Sequence, residues 1–249
     1  MATSNSISEI NYDAGLASQN GYLEMLKHLV ENGADISYQN DFCIRMASQN
    51  GHLDVVKYLV ENKANIHVYD NVCVNWASLK GHFDILKYLV ENKADIHSQN
   101  YANIRWASER GHLRVVKYLV ENKADIHSQD DACVRWAGLS GHFEVVKYLA
   151  ENKADIHAYD DACVRVASLN DHLRTVKYLV ENKADISKIS DKHRDVIFGM
   201  KILKFWRNQR KRKRLIRIRN VLTPIYYSPS MKGGYFAKKS LAKYISDFI

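Results

Sequence analysis

A chain of 249 residues with 46% apolar and 26% charged residues has ordinary globular usage and is long enough for one large domain or two small ones. No run of about 18 apolar residues occurs, so no helical membrane span is expected; the short polar N-terminus lacks the basic-then-apolar order of a secretory leader, so an intracellular protein is expected. The net charge of +8 is unevenly held: residues 191–249 carry 16 Lys or Arg against three Asp, whereas residues 1–190 carry 20 basic and 25 acidic residues, so any argument from charge to nucleic acid concerns the tail alone.

After a polar lead over residues 1–10, the chain repeats itself. Gly21, Gly51, Gly81, Gly111 and Gly141 stand 30 residues apart, and Asp171 takes the next place. Gly51 opens GHLDVVKYLVENKANIH, Gly81 opens GHFDILKYLVENKADIH and Gly111 opens GHLRVVKYLVENKADIH. Six units are legible over 11–188, at about 12–41, 42–71, 72–101, 102–131, 132–161 and 162–188. Each reads as two helices. A short first helix, Ala132 to Gly138 in the fifth unit, meets a turn at Ser140-Gly141, where glycine supplies positive φ. A second helix follows from about Phe143 to Asn152, with Phe143, Val145, Val146 and Leu149 on one apolar stripe. An extended stretch, Ala154 to His157, leads onward. One such pair cannot bury its apolar stripe, but six stacked pairs can.

The segment GHLDVVKYLVENKADI resembles the second helix and following turn of ankyrin repeats. With VRWAS ahead of it, the unit is similar to the ankyrin repeat proteins of mimivirus-type giant DNA viruses. The resemblance covers residues 11–188 and implies an all-α solenoid. Three departures from the family pattern stand out. The unit has 30 residues where the family has about 33, and aligning the helices places the missing three in the hairpin finger, between Asp130 and Ala132 in the fifth unit. The finger is therefore expected as a short extended turn. The family's Thr-Pro-Leu-His start becomes Ala132-Cys133-Val134-Arg135 and its equivalents. The glycine after the second helix survives only as Gly33, with Lys63, Lys93, Lys123, Lys153 and Lys183 in its place. A lysine in left-handed geometry costs about 1–2 kcal/mol, so the adjacent Asn62 and its equivalents are expected to take that conformation.

Two kinds of ladder invite a chemical reading. Cys43, Cys73, Cys133 and Cys163 share one register, with Asn103 in the gap. Stacked helices lie roughly 8–10 Å apart, farther than a disulfide reaches, so four reduced, buried thiols are expected. Histidines follow the turn glycine (His52, His82, His112, His142, His172) and the isoleucine of the extended stretch (His67, His97, His127, His157). One ligand per repeat does not converge on an ion, so no metal is expected. Every Ser, His and Asp is a copy in a register, and no Gly-rich phosphate loop occurs. No catalytic residue, cofactor or small-molecule substrate is expected.

The resemblance implies a concave binding face built from first helices and fingers, and a partner that is a protein. The register that faces it in the family holds Met46, Trp76, Trp106, Trp136 and Val166. Three of the chain's four Trp residues thus form one stripe, flanked by Arg105 and Arg135, and Trp and Arg are the residues most enriched at hot spots. Lys80 and Arg110 lie in the variable loop that ends the first helix. Trp76, Trp106, Trp136, Arg105, Arg135, Lys80 and Arg110 are the candidate partner-binding residues. The alternative for the Trp residues is packing between neighbouring first helices, and for the Arg residues bridging of repeats. A host protein is the partner the viral resemblance implies; no F-box-like segment supports a ubiquitin-ligase adaptor.

Residues 189–223 read as a basic capping helix ended by Pro224. Val196, Ile197, Met200 and Leu203 are suited to cover the last repeat. Arg207, Arg210, Lys211, Arg212, Lys213, Arg214 and Arg217 then favour an acidic partner: nucleic acid, an import receptor, a calmodulin-like protein or anionic lipid. Residues 224–249 form a tail without assignment.

Overall fold

The computed structural model describes residues 4–198, with 208 and 211, and the chain divides after Arg194 into two units. In the first unit six helix pairs follow one another: α1 Ser4–Asn20 with α2 Leu23–Glu31, α3 Tyr38–Asn50 with α4 Leu53–Glu61, α5 Val68–Lys80 with α6 Phe83–Glu91, α7 Ser98–Glu109 with α8 Leu113–Glu121, α9 Ser128–Leu139 with α10 Phe143–Glu151, and α11 Ala158–Leu169 with α12 Leu173–Glu181. No strand occurs among the described residues. Each helix pair packs on the next, the first helices more extensively than the second helices. The sequence explains the difference. First helices bury small residues, Ala47, Ala77, Ala107, Ala137 and Ala167, completely, which suits close approach, whereas second helices bury the bulkier Val56, Leu86, Val116, Val146 and Val176. The first-helix side is therefore the tighter side of the array. Each buried Val, Leu or Ile contributes about 1.5–3 kcal/mol, and the second helices α4, α6, α8 and α10 each bury three such residues.

Both helices of a repeat end in the same capping motif but with different residues in its left-handed position. At the end of α5, His82 N–H donates to Ala77 O and Gly81 N–H to Ser78 O, with Gly81 at φ 78°. At the end of α4, Ala64 N–H donates to Leu59 O and Lys63 N–H to Val60 O, with Lys63 at φ 67°. Lys93, Lys123, Lys153 and Lys183 are likewise left-handed, while Asn62 sits at φ −90°. The expectation for Asn62 is thus corrected: its amide instead donates to Tyr58 O at 2.8 Å, which a residue still facing the last helical turn can do.

The expected extended finger is also corrected. Only Ala154-Asp155 of the fifth repeat's linker lacks turn or helix character, and the place of the missing residues is a left-handed turn. Gln129, Asp130 and Asp131 lie at φ 53–55°, as do Gln39 to Asp41, Tyr69 to Asn71 and Tyr159 to Asp161 at φ 44–62°. Three consecutive left-handed residues are costly for L-amino acids, and the side chains offset that cost. Asp41 Oδ1 accepts Asn65 N–H at 2.8 Å in the next repeat, and Asn71, Asp131 and Asp161 accept the equivalent N–H. Arg45 Nε and Nη2 donate to Asn40 O and Gln39 O, both at 2.9 Å.

Beyond α12 a short 3-10 turn, Ile186–Lys188, leads to a helical stretch over 191–198. Within the first unit Ile189 and His193 are buried, and Lys192 pairs with Asp171 at 2.9 Å. Of the four expected capping residues, Ile197 is buried and Val196 is exposed; Met200 and Leu203 lie outside the described residues.

Candidate partner-binding surface

The first helices carry Met46, Trp76, Trp106, Trp136 and Val166 half-buried, one per repeat. One turn later on the same helical face stand Leu79 and Leu139, half-buried, and Leu169, 75% exposed. The apolar row is thus wider than the Trp register alone. In the sequence Leu79 and Leu139 stand in the same variable loop as Lys80 and Arg110, and their i+3 spacing from Trp76 and Trp136 is the signal that they extend the row. Lys80 and Arg110 are exposed at the same helix ends, with Arg110 Nη2 3.9 Å from Glu109.

The arginines beside the row are tied to the array. Arg135 donates to Gln129 O at 3.1 Å and lies 4.2 Å over the Tyr159 ring of α11, the next first helix. Arg45 lies 5.1 Å over Tyr69 in the same manner. Arg105 sits 5.8 Å over Trp106, and its Nε, like that of Arg135, is buried without a protein partner. Arg45 and Arg135 therefore bridge repeats and hold left-handed turns. The Trp and Leu row, with Lys80 and Arg110, supplies the more accessible part of this face.

The histidine and cysteine ladders are structural. His52, His82, His112 and His172 donate through Nε2 to Gln19, Gln49, Leu79 and Leu139 carbonyls of the preceding repeat, at 2.9–3.1 Å. Each ring lies where a Cβ on the preceding turn glycine would stand: a Cβ on Gly81 would meet His112 Nδ1 at 2.5 Å. In the last repeat Asp171 takes the glycine's place, at φ 60°. His127 and His157 contact Asp131 and Asp161 at 2.9 and 2.7 Å. All four cysteines are free and buried. Burial pushes the thiols up, to about 11 at Cys73 and about 12 at Cys133 and Cys163. No group of three His, Cys, Asp or Glu residues converges among the described residues.

One constellation escaped sequence reading. Ser168 Oγ lies 3.0 Å from His193 Nδ1, and His193 Nε2 lies 3.6 Å from Asp171 Oδ1. Ser190 shares Nδ1 at 2.9 Å and donates its N–H to Ser168 Oγ. Ser168 and His193 are both 3% exposed, so no substrate reaches the hydroxyl. The trio closes the last repeat.

Of the basic tail, Lys211 is helical and exposed; Arg207, Arg210, Arg212, Lys213, Arg214 and Arg217 lie outside the described residues. No helix among the described residues is long and apolar enough to cross a membrane.

Among curated proteins none matches the chain in sequence. The crystal structure of the human ASB11 ankyrin repeat domain is similar in fold, with a TM-score of 0.64 at 21% identity, covering 70% of this chain and 84% of that one. A family model for ankyrin repeats matches residues 15–100 and 104–190. With helix pairs, turn glycines and the family model in agreement over most of its length, the chain belongs to the ankyrin repeat family.

Proposed function

We propose that the chain is a non-catalytic scaffold that holds a protein partner on its first-helix face, at Trp76, Trp106 and Trp136, with Lys80 and Arg110 at the rim. The observation that carries this reading is the row of half-exposed Trp residues, extended by Leu79, Leu139 and Leu169. A folded monomer gains little by leaving such a row in contact with water, and a partner gains much by covering it. The likeness of the repeat wording to giant-virus ankyrin proteins supports a host protein as that partner, met inside the host cell. Trp106→Ala with Trp136→Ala should weaken partner binding by about 2 kcal/mol or more, roughly thirtyfold, at unchanged helicity. Unchanged affinity in the double variant overturns the reading.

A second reading, an adaptor drawn to nucleic acid or an import receptor through residues 207–219, rests on the charge asymmetry of the chain. Point-charge contacts to phosphate carry no sequence preference, so this tail is expected to bind polyanions broadly.

A further inference from the structure

The junctions between successive helix pairs are alike in apolar packing but not in polar ties. Ala107 and Ala137 of the first helices, and Val116 and Val146 of the second, are as buried as their equivalents elsewhere. Two hydrogen bonds recur on this frame. In one, the histidine before a second helix reaches a carbonyl near the end of the preceding first helix: His52 to Gln19, His82 to Gln49, His112 to Leu79 and His172 to Leu139. In the other, an Asp or Asn near the start of a first helix accepts an N–H of the linker leading to the next pair. Asn11 takes Asp35 N–H, Asp41 takes Asn65, Asn71 takes Asp95 and Asp131 takes Asp155, at 2.7–3.0 Å. Four junctions carry both bonds, and among the described residues the junction of the fourth and fifth pairs carries neither. The His142 ring stands over Gly111 as its equivalents stand over theirs, but it makes no hydrogen bond to Glu109 O. Tyr101 occupies the Asp/Asn register, and a tyrosine has no carboxylate or amide oxygen for the Asp125 N–H. Other ties follow the same pattern. Arg45 and Arg135 lie over Tyr69 and Tyr159 of the next first helix, whereas the residue in that register after Arg105 is Gln129. Arg114 joins the fourth pair to the third, 3.7 Å over Phe83 and 3.7 Å from Asp84, and Arg174 joins the sixth to the fifth, 3.9 Å over Phe143 and 2.8 Å from Glu144. Between the fourth and fifth pairs the ring register holds Leu113, and Lys117 lies 5.5 Å over Tyr148.

We propose that the array hinges at this junction, repeats 1–4 and repeats 5–6 moving as two bodies about the contact of α7 and α8 with α9 and α10. Apolar contact is non-directional and holds the pairs together without fixing their angle. Hydrogen bonds fix the angle, because they weaken steeply with misalignment. Two net hydrogen bonds fewer make opening here roughly tenfold more frequent than at the other junctions. The hinge falls between Trp106 on α7 and Trp136 on α9, so it sets the separation of two side chains in the same row. A partner that covers both would hold the array at one angle. That consequence rests on the proposed use of the Trp row; the hinge itself does not.

Double electron–electron resonance on the full-length chain, without a partner, tests the hinge. Glu61, Glu121 and Glu181 are exposed and share one register. Spin labels at Glu61→Cys and Glu121→Cys span the second to fourth pairs, and labels at Glu121→Cys and Glu181→Cys span the fourth to sixth. The four native cysteines are buried, so labelling of the native protein goes to the introduced thiols. The distance distribution across the fourth-to-sixth span should be at least twice as broad as that across the second-to-fourth span. Tyr101→Asp, which supplies the residue present at Asp41, Asp131 and Asp161, should narrow the broad distribution toward the other. Asn71→Ala removes the bond to Asp95 N–H and should broaden the second-to-fourth span. Equal widths in the parent chain overturn the proposal, as does an excess width left unchanged by Tyr101→Asp at the parent's helicity. If Tyr101→Asp does not fold, Asn71→Ala decides: an unchanged second-to-fourth width overturns the proposal.

Discussion

The turn glycines offer a sharp test of how the repeats are joined. Gly33 and Gly81 are both left-handed, at φ 95° and 78°, but only one faces a neighbour. A Cβ on Gly33 meets nothing within 4 Å, whereas on Gly81 it meets His112 Nδ1 at 2.5 Å. Gly33→Ala therefore costs only the left-handed conformation, about 1 kcal/mol once the lower entropy of the unfolded chain is set against it. Gly81→Ala costs the same and displaces His112 from Leu79 O, which it holds at 3.0 Å. That bond is worth about 0.5–1.5 kcal/mol, so the total is about 2–3 kcal/mol when strain in the displaced ring is included. His112→Ala alone loses the bond, and adding it to Gly81→Ala removes the clash, so the double variant should be more stable than the sum of the singles by about 1 kcal/mol. Urea unfolding followed by circular dichroism reads these differences from the midpoint. Equal losses at Gly33 and Gly81, or strict additivity of the pair, would refute the argument that histidine excludes a side chain from the turn.

Other outcomes follow from the same geometry. The four thiols, buried and pushed up in pKa, should resist a thiol reagent at pH 8 in the native protein and react fully in denaturant; native labelling of Cys133 or Cys163 would contradict their burial. Burial lowers the His112 pKa below its ordinary value of about 6.5. The folded state then binds fewer protons than the unfolded one, so its contribution to stability is present above about pH 6.5 and declines as pH falls below it. His112→Asn should flatten the stability profile between pH 7 and 5, and an unchanged slope would count against this. Residues 207–219 should bind polyanions with a log–log salt slope of about −4 to −5 for five or six phosphate contacts; a slope near zero, or equal binding by residues 1–190, contradicts the second functional reading.

The period, the helix pairs and the apolar stripes were legible in the sequence, because each is written six times and copies average out local ambiguity. Turn glycines were legible as positions of positive φ, but their second cause was not. The His112 ring above Gly81 is a contact between residues 31 apart. The left-handed lysines were misjudged because intrinsic preference favours Asn62, whereas the capping geometry selects the residue after it and leaves open space around the side chain, as at Gly33. The finger was misjudged because a deletion says how many residues are lost, not what the remainder does; Arg45 and Asp41 stabilise a left-handed turn that propensity alone disfavours. On the candidate surface, the Trp register was readable but its continuation through Leu79, Leu139 and Leu169 was not, since Leu at that spacing equally suits a core.

The central claim is that the array works through the half-buried Trp and Leu row on its first helices. The most direct measurement is quantitative capture from a host-cell lysate by the full-length chain and by its Trp106→Ala/Trp136→Ala variant, matched for helicity. At least one protein retained by the parent should fall more than tenfold with the variant, and should bind the parent as a purified protein with a comparable loss. Identical capture profiles, with equal purified affinities, would contradict the claim.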